Sequence, residues 1–477
     1  MQLMMKHNIT EILSNLGIRD ITCDSRQVTR GSAFFCIRYS QEYIREAAAL
    51  GASLIVVSLE VDFECNCQVI IVDDVREALA QAAAWLYPAR PKYITAVTGT
   101  SGKSSVVDYF RQLGENLGVK IASIGTMGIC CSDKKIEKAV SKYSIDITGL
   151  NTPDVITTYK ILNFLAENGV THVAFEASSH GLDQKRLHGV KMCAAGFVSF
   201  GQDHLDYHIT LEAYRFAKLK LFSENLVAGG KAIIAEDVMD EDLNRLSMEA
   251  MKRITVGSSG DVKILSCNSS MTEQNFSFSY DGKTYETSTS VIGSFQTNNI
   301  LIAAIMLESC DIEFDDIVKF IPLLKIVPGR LERVTPKNHP WHIFVDYAHK
   351  PDAIESVLTE MKKIVEGKLI IVFGCGGDRD RLKRPIMGRL AQDIADIVIV
   401  TDDNPRTEDP KSIRKEVMVG CPNAIEIEGR QDAIKHAISL MEKGDILLLA
   451  GKGHENYQII GDKRIPFSDI EEVRKYI

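Results

Sequence analysis

Short apolar runs that break abruptly into glycine-rich or charged clusters recur along this chain, with helical stretches between them. "YITAVTG", "THVAFEASS", "AAGFVSFGQDH" and "KAIIAED" follow the pattern. Further on, so do "WHIFVDYAH", "KLIIVFGCGGDRD", "DIVIVTDDNPR" and "GDILLLAGKGHE". Near-continuous hydrophobic strands alternating with helices call for a parallel sheet covered on both faces, since each crossover returns the chain to the same end of the sheet. Open sheets of this kind bind ligands at the carboxyl ends of their strands, which is where the polar clusters lie. Two such sets of strand ends predict a cleft between domains.

The breaks divide the 477 residues into three α/β domains. Residues 1–90 form a small N-terminal α/β domain with the runs "SAFFCI", "ASLIVVS" and "CQVIIVDD"; it ends at "PARP" (Pro88 to Pro91), which reads as a linker. Residues 91–328 form a central domain with a P-loop-type, mostly parallel sheet, closed by the Pro-Gly break in "VPGRLERV". Residues 329–477 form a C-terminal Rossmann-like α/β domain. Hydrophobic and charged contents of 45% and 25% are those of an ordinary globular protein. The net charge of -9 weighs against nucleic acid or an anionic membrane as partner.

No run approaches the ~18 apolar residues of a membrane span. "MQLMMKHNITEILSNLGIRD" has no apolar leader core. Among the 11 cysteines, Cys65-x-Cys67 and Cys130-Cys131 fit neither a zinc ribbon nor a redox pair. A cytoplasmic protein with reduced thiols and no membrane insertion is expected, and a monomer.

"TGTSGKSS" (Thr98 to Ser105) sits between an apolar run and the helical "VVDYFRQLGENLG". Glycines there let backbone N–H groups face phosphate, and the following helix N-terminus adds a favourable dipole. Lys103 would reach the β/γ-phosphates and Ser104 would hold Mg²⁺. Position 97 is valine, so the spacing is one glycine short of the usual P-loop. Glu176 and His204, expected at neighbouring strand ends, can hold a hard divalent ion beside the nucleotide. A Ser178, His180, Asp183 hydrolytic triad is the rival reading, although no G-x-S-x-G elbow surrounds the serine. In the third region, Arg379, Asp402, Asn404, Arg406 and Glu455 fall at one sheet edge, a set suited to a small zwitterion carrying amine and carboxylates.

In order along the chain, "DSRQVTRG", "GTSGKSS", "NTPD", "EASSHGLDQKR", "DHLDYH", "YRFAKLKLF", "VPGRLERV", "VDYAHKPDA", "FGCGGDRD", "DDNPRTEDP" and "GKGHENYQ" resemble the motifs of the Mur ligases. These are ATP-dependent amide-forming enzymes of peptidoglycan precursor synthesis, and the resemblance spans nearly the whole chain. It implies that Gly99, Thr100, Ser101, Gly102, Lys103, Ser104 and Ser105 bind the ATP phosphates, with Asn299, Arg330, Asp346 and His349 as further nucleotide contacts. It makes Ser104, Glu176, His204 and a carbamylated Lys218 the Mg²⁺ ligands, and Lys103, Lys218, His204 and Glu176 the catalytic set. Asp24, Ser25, Asn151, Thr152, Ser178, Gln184 and Arg186 match the site for the UDP-sugar dipeptide. Arg379, Asp403, Asn404, Pro405, Arg406, Gly451 and Glu455 match the amino-acid site.

The implied reaction joins meso-2,6-diaminopimelate to the D-glutamate γ-carboxylate of UDP-N-acetylmuramoyl-L-Ala-D-Glu through an acyl phosphate. Arg406 in "DNPR" pairs with the distal carboxylate that lysine lacks. The alternatives are the same ligase adding L-lysine, a folylpolyglutamate-synthetase-like ligase, and a nucleotide switch without ligation. Ser101 and Gln296 replace asparagines usual in the family, and the segment near Arg38–Tyr43 is shorter than usual.

Overall fold

The computed structural model describes residues 8–60, 67–143, 151–239 and 251–477. Its first sheet is wholly parallel, in the order Ile21–Thr22, Ala33–Phe35, Leu54–Val57, Gln68–Ile71. Successive strand residues point to opposite faces, and both faces are covered here. Phe34 and Ile55 close a small core with Ile44, whereas Phe35 and Val56 join the large core that continues to Ile94 and Leu162. "PARP" is a packed junction. Ala89 N donates to Asn163 Oδ1 at 2.8 Å, and the Arg90 guanidinium lies 4.4 Å from the centroid of the Tyr159 ring.

The central sheet has ten strands among the described residues. Its parallel middle runs Met251–Gly257, Leu226–Ala235, Met192–Phe197, Tyr93–Thr98, His172–Glu176, Ile121–Gly125. The strand Tyr93–Thr98 therefore lies between the other two site-bearing strands. Glu176 and the segment leading to His204 leave strand ends on either side of the phosphate loop, so the expected neighbouring strand ends are not neighbours.

At one edge Val262–Ser269 pairs parallel with Met251–Gly257, and the antiparallel strands Gln274–Tyr280 and Lys283–Thr289 extend the sheet beyond it. Their last turn is Asp281-Gly282, both residues at positive φ. An Asp-Gly pair between alternating strands is a hairpin signal in the sequence itself.

Helix Val155–Glu167 follows the "NTPD" motif, and Asp154 caps it by accepting from Ile156 N and Thr157 N at 2.9 and 3.1 Å. Asp154→Ala should lower the unfolding free energy by about 1 kcal/mol in a urea titration, the usual worth of an N-cap.

The third sheet runs Glu332–Arg333, His342–Asp346, Ile446–Ala450, Leu369–Phe373, Ile397–Val400, Ile425–Glu426, with only the first strand antiparallel. Ile446–Ala450 is inserted between strands that precede it in sequence, which makes a topological switch point and opens a crevice at the carboxyl ends. Beneath it, the wholly buried Arg430 pairs with Asp469 at 2.7 Å and donates to Ala450 O at 2.9 Å. That bond fixes the strand end leading into "GKGHE". No described helix is long and apolar enough to cross a membrane.

Candidate functional site

The carboxyl ends of the central and third sheets enclose one cleft of about 760 Å³. Its floor is the phosphate loop. Gly102 adopts φ +85, and a Cβ there would lie 2.7 Å from Asn299 Oδ1, so the loop can close only with glycine at this point. Helix Lys103–Asn116 starts at the next residue. Ser101 is held by its backbone: its N–H donates to Ser199 Oγ at 2.8 Å, and that hydroxyl donates back to Ser101 O at 2.9 Å.

Three lysines converge on two loop carbonyls. Lys103 Nζ donates to Gly99 O at 2.7 Å and to Thr100 O at 3.1 Å. Lys218 Nζ, on helix Leu211–Lys220, donates to Gly99 O at 2.8 Å. Lys350 Nζ reaches from the third sheet to Thr100 O at 3.0 Å and pairs with Asp203 Oδ2 at 2.6 Å. Burial and the neighbouring Lys350 bring the Lys103 ammonium down to about 8. Burial, with Lys103 and Lys350 close by, pushes Lys218 well below the ordinary lysine value. The cage suits an anion that the ammonium groups of Lys103 and Lys350 can share, with the Lys218 amine beside them.

Glu176 accepts from Thr126 N and Thr126 Oγ1 at 2.8 and 3.0 Å. His204 Nε2 lies 3.0 Å from Asp203 Oδ2, and burial lowers the imidazole to about 3, so the ring is neutral near pH 7. Ser104 Oγ accepts from Arg330 Nη2 at 3.1 Å, and Arg330 lies over the Tyr347 ring. Asp346 is buried and raised to about 6, although Leu331 N and Ala348 N both donate to it at 2.7 Å; desolvation outweighs those two bonds. Asn299 Nδ2 donates to Gln296 Oε1, which also accepts from Tyr109 OH, so Gln296 positions Asn299 from below. His349 lines the cleft with Nδ1 on Tyr347 O.

Beside the loop, Thr152 organises the predicted dipeptide contacts. Its hydroxyl donates to Glu176 O at 2.8 Å and accepts from Ser178 N, while Arg186 donates to Thr152 O and to Gln184 Oε1. Asn151, Ser178 and Arg186 line the cleft. Asp24 and Ser25 do not: Asp24 pairs with the exposed Arg26 on the first sheet. The triad reading fails on geometry. Ser178 Oγ caps its helix through Gly181 N, His180 stacks on Tyr207, and Asp183 pairs with Lys220.

On the facing edge, Arg379, Asp403, Asn404, Arg406, Gly451 and Glu455 line the cleft, with Pro405 buried behind them. Asn404 Nδ2 holds Glu455 at 2.9 Å, and the buried Lys452 pairs with the same carboxylate at 3.2 Å. Arg406 Nη1 donates to Gly377 O at 2.8 Å and packs against Gly376, where a Cβ would lie 2.8 Å from it. Burial, then the nearby Arg379, lower the Arg406 guanidinium below its ordinary value. Among the described residues, no carboxylate stands within ion-pair distance of Arg406. Asp402 departs from the expected set: it pairs with Arg414 and accepts from Gly429 N, on the far side of the strand.

Sequence reasoning passed over Lys350, Asp203, Lys452 and Ser199. The first three lie inside quoted motifs, and "HKPD" places a lysine directly before a helix-starting proline, where a cation is unfavourable for the helix.

His454, in "GKGHE", is half-buried, and its Nδ1 has no hydrogen-bond partner. Burial lowers it to about 4. The unfolded chain takes up that proton near 6.5 and the folded chain refuses it until about 4, so stability falls as pH drops through this window. The slope is about 1.4 kcal/mol per pH unit for each such histidine. Urea midpoints should decline from pH 6.5 to pH 4.5, and His454→Gln should flatten that decline.

Comparison with known proteins agrees with this architecture. The Mur ligase middle domain matches residues 97–307, and the Mur ligase, glutamate ligase domain matches residues 329–453. The UDP-N-acetylmuramoyl-L-alanyl-D-glutamate--2,6-diaminopimelate ligase of Rickettsia bellii (strain RML369-C) is 45% identical over 478 residues, covering 98% of this chain and 96% of its own length. The enzyme of the same name from Chelativorans sp. (strain BNC1) is 42% identical, covering 97% and 95%. A solved structure of a ligase with that name superposes with a TM-score of 0.69 at 33% identity, covering 96% of this chain and 94% of that one. A Mycobacterium tuberculosis folylpolyglutamate synthase complexed with ADP and AMPPCP shares the fold, at a TM-score of 0.65 and 18% identity, over 79% of this chain and 92% of its own. Three helix-covered sheets, a glycine loop caged by lysines and near-complete alignment with these relatives lead to one conclusion: the chain belongs to the Mur ligase family.

Proposed function

We propose that this chain joins meso-2,6-diaminopimelate to the D-glutamate γ-carboxylate of UDP-N-acetylmuramoyl-L-Ala-D-Glu, with ATP cleaved to ADP and phosphate. The observation that carries this reading is the pairing, across one cleft, of a three-lysine phosphate cage with a guanidinium that has no carboxylate of its own among the described residues. The names of the full-length relatives support the same substrate set.

In the first step the γ-carboxylate of D-glutamate attacks the γ-phosphorus of ATP, giving an acyl phosphate and ADP. Lys103 and the loop amides bind the phosphates and spread the charge of the transfer. Asn151, Ser178 and Arg186 orient the dipeptide end of the acceptor. In the second step the amine of diaminopimelate attacks the acyl carbonyl, and phosphate leaves from the tetrahedral adduct. Asp403 and Glu455 hold the ammonium end of the amino acid, and Arg379 and Arg406 hold its carboxylates. The cleft walls exclude water from the acyl phosphate, which would otherwise hydrolyse.

Mg²⁺ belongs to this reading, with Ser104, Glu176, His204 and a carbamylated Lys218 as its ligands. Among the described residues, no three His, Cys, Asp or Glu side chains stand grouped as a ready cage. That sparse set suits Mg²⁺, which takes most of its oxygens from substrate phosphates and water. The neutral His204 ring keeps a lone pair available, and a Lys218 amine pushed toward its neutral form is the form that adds CO₂. Bound Mg²⁺ would neutralise phosphate charge as the γ-phosphoryl group moves. The reading also makes the chain a cytoplasmic monomer that supplies cell-wall precursor for growth and division.

The test is ADP release by the purified chain with UDP-N-acetylmuramoyl-L-Ala-D-Glu, comparing diaminopimelate, L-lysine and a folate substrate. ADP release should require the UDP-dipeptide and diaminopimelate together. Equal rates with lysine would remove the amino-acid assignment, and turnover with folate alone would replace the reading.

A further inference from the structure

Helix Pro351–Ile364 opens with proline, and Lys350 stands at its N-cap without a side-chain capping bond. A cation at a helix N-terminus opposes the helix dipole, so this placement does not serve the helix. The side chain instead leaves its own domain. Its ammonium sits 3.0 Å from Thr100 O and 2.6 Å from Asp203 Oδ2, and only 8% of the residue is exposed.

Two consequences follow from those contacts. Lys103 Nζ already donates to Thr100 O at 3.1 Å, so two like charges share one carbonyl of the phosphate loop. Asp203 Oδ2 in turn lies 3.0 Å from His204 Nε2, so the same cation also bears on the orientation of that ring.

The far end of the helix repeats the cross-domain contact. Glu360 accepts from Ser294 N at 2.8 Å and Ser294 Oγ at 2.7 Å, at the first residue of helix Ser294–Glu308. That helix carries Gln296 and Asn299 onto the phosphate loop. Between the two contacts, Asp352 packs against Gly201 so closely that no Cβ fits there. Ten residues of helix rise about 15 Å, so Lys350 and Glu360 are two separated points on one rigid rod.

We propose that Lys350 is a positioning residue that couples docking of the C-terminal domain to assembly of the phosphate site, by fixing the Thr100 carbonyl and, through Asp203, the His204 ring. Glu360 on Ser294 sets the angle at which the rod docks. The inference rests on the ligase reading of the cleft and adds to it the contact by which the amino-acid domain reports its arrival. Before docking, ATP meets the loop with Lys103 and Lys218, both from the central domain; after docking, Lys350 holds the loop from the other side.

The experiment uses the full chain with ATP, UDP-N-acetylmuramoyl-L-Ala-D-Glu and diaminopimelate, and compares wild type with Lys350→Met and Lys350→Arg. Lys350→Met should lower kcat about 10²-fold while KM for ATP stays within about threefold, because the contact forms only in the docked state. X-ray scattering should show ATP and UDP-dipeptide compacting the wild type and leaving Lys350→Met extended. Lys350→Arg keeps a cation for Asp203, so it folds even if the methionine variant does not; it should compact and run about tenfold below wild type.

A kcat for Lys350→Met within about threefold of wild type would overturn the proposal, and so would a loss lying wholly in KM for ATP. An arginine variant that neither compacts nor turns over would overturn it as well. If the wild type released no ADP with these substrates, the ligase reading would fall, whereas compaction by ATP in wild type alone would still uphold the coupling.

Discussion

Lys103→Met should release ADP about 10³-fold more slowly than the wild type, which is about 4 kcal/mol of lost transition-state stabilisation. The methionine keeps the length of the stem and removes only the charge. In the structure that charge is wedged between Gly99 O and Thr100 O, inside the turn to which the proposed function assigns the phosphates. Neither neighbour can take its place. Lys218 is committed to Gly99 O and pushed toward its neutral form, and Lys350 is paired with Asp203.

The same crowding predicts that stability will not fall with activity. Lys103 and Lys350 repel each other across one carbonyl, and each lowers the proton affinity of Lys218. Removing one of these two like charges relieves that repulsion, so the thermal midpoint of Lys103→Met should equal or exceed that of wild type. Steady-state ADP release and a thermal melt on the same preparation check both halves. A loss under about tenfold would mean that the phosphate is held elsewhere.

Arg406→Ala should cost about 10²-fold in kcat/KM for diaminopimelate while changing the residual rate with L-lysine by no more than about threefold. The guanidinium is already desolvated and is held in place by Gly377 O, Asn404 O and the missing side chain of Gly376. Its proton affinity is lowered by burial and by Arg379, and Asp403, Glu455 and Asp378 act on it only from beyond ion-pair distance, so a carboxylate that enters supplies the direct partner it lacks. Lysine has no distal carboxylate and leaves the half-buried Arg406 without an ion-pair partner, which is how a polar site rejects an analogue that lacks the expected group. Selectivity measured as the ratio of the two kcat/KM values should therefore collapse in the variant. A ratio that survives the substitution would move selectivity to Arg379 or to the Asp403 and Glu455 end.

Much of this arrangement was legible in the chain itself. Every apolar run named as a strand forms one, from "SAFFCI" at Ala33–Phe35 to "GDILLLAGKGHE" at Ile446–Ala450. The phosphate loop, with its glycine at positive φ and its helix starting at Lys103, is a local structure written in consecutive residues. Asp281-Gly282 was equally local and equally readable, yet it lies in an antiparallel extension that a search for parallel sheets passes over.

The strand-end arginines and carboxylates were found because a parallel sheet sends all its carboxyl ends to one side. Asp402 shows where that reasoning ends. The strand ends at Val400, and past it the chain no longer alternates regularly: Asp403 and Asn404 both line the cleft, while Asp402 meets Arg414 behind it. Glu176 and His204 were also legible as strand-end residues, but their separation was not. Strand order places Tyr93–Thr98 between them, and that order depends on pairings between distant segments.

By itself, then, the sequence determined the parallel α/β class, the phosphate loop and the chemical character of each strand end. All of these arise from residues close in the chain, whose periodicity and turn chemistry act over a few residues. Tertiary structure alone decided which distant groups meet: Lys350 on Thr100 O and Asp203, and Arg430 on Asp469. Charge pairing acts across a few ångströms of space and is indifferent to distance along the chain, so 250 residues of separation between Thr100 and Lys350 left no mark in the sequence.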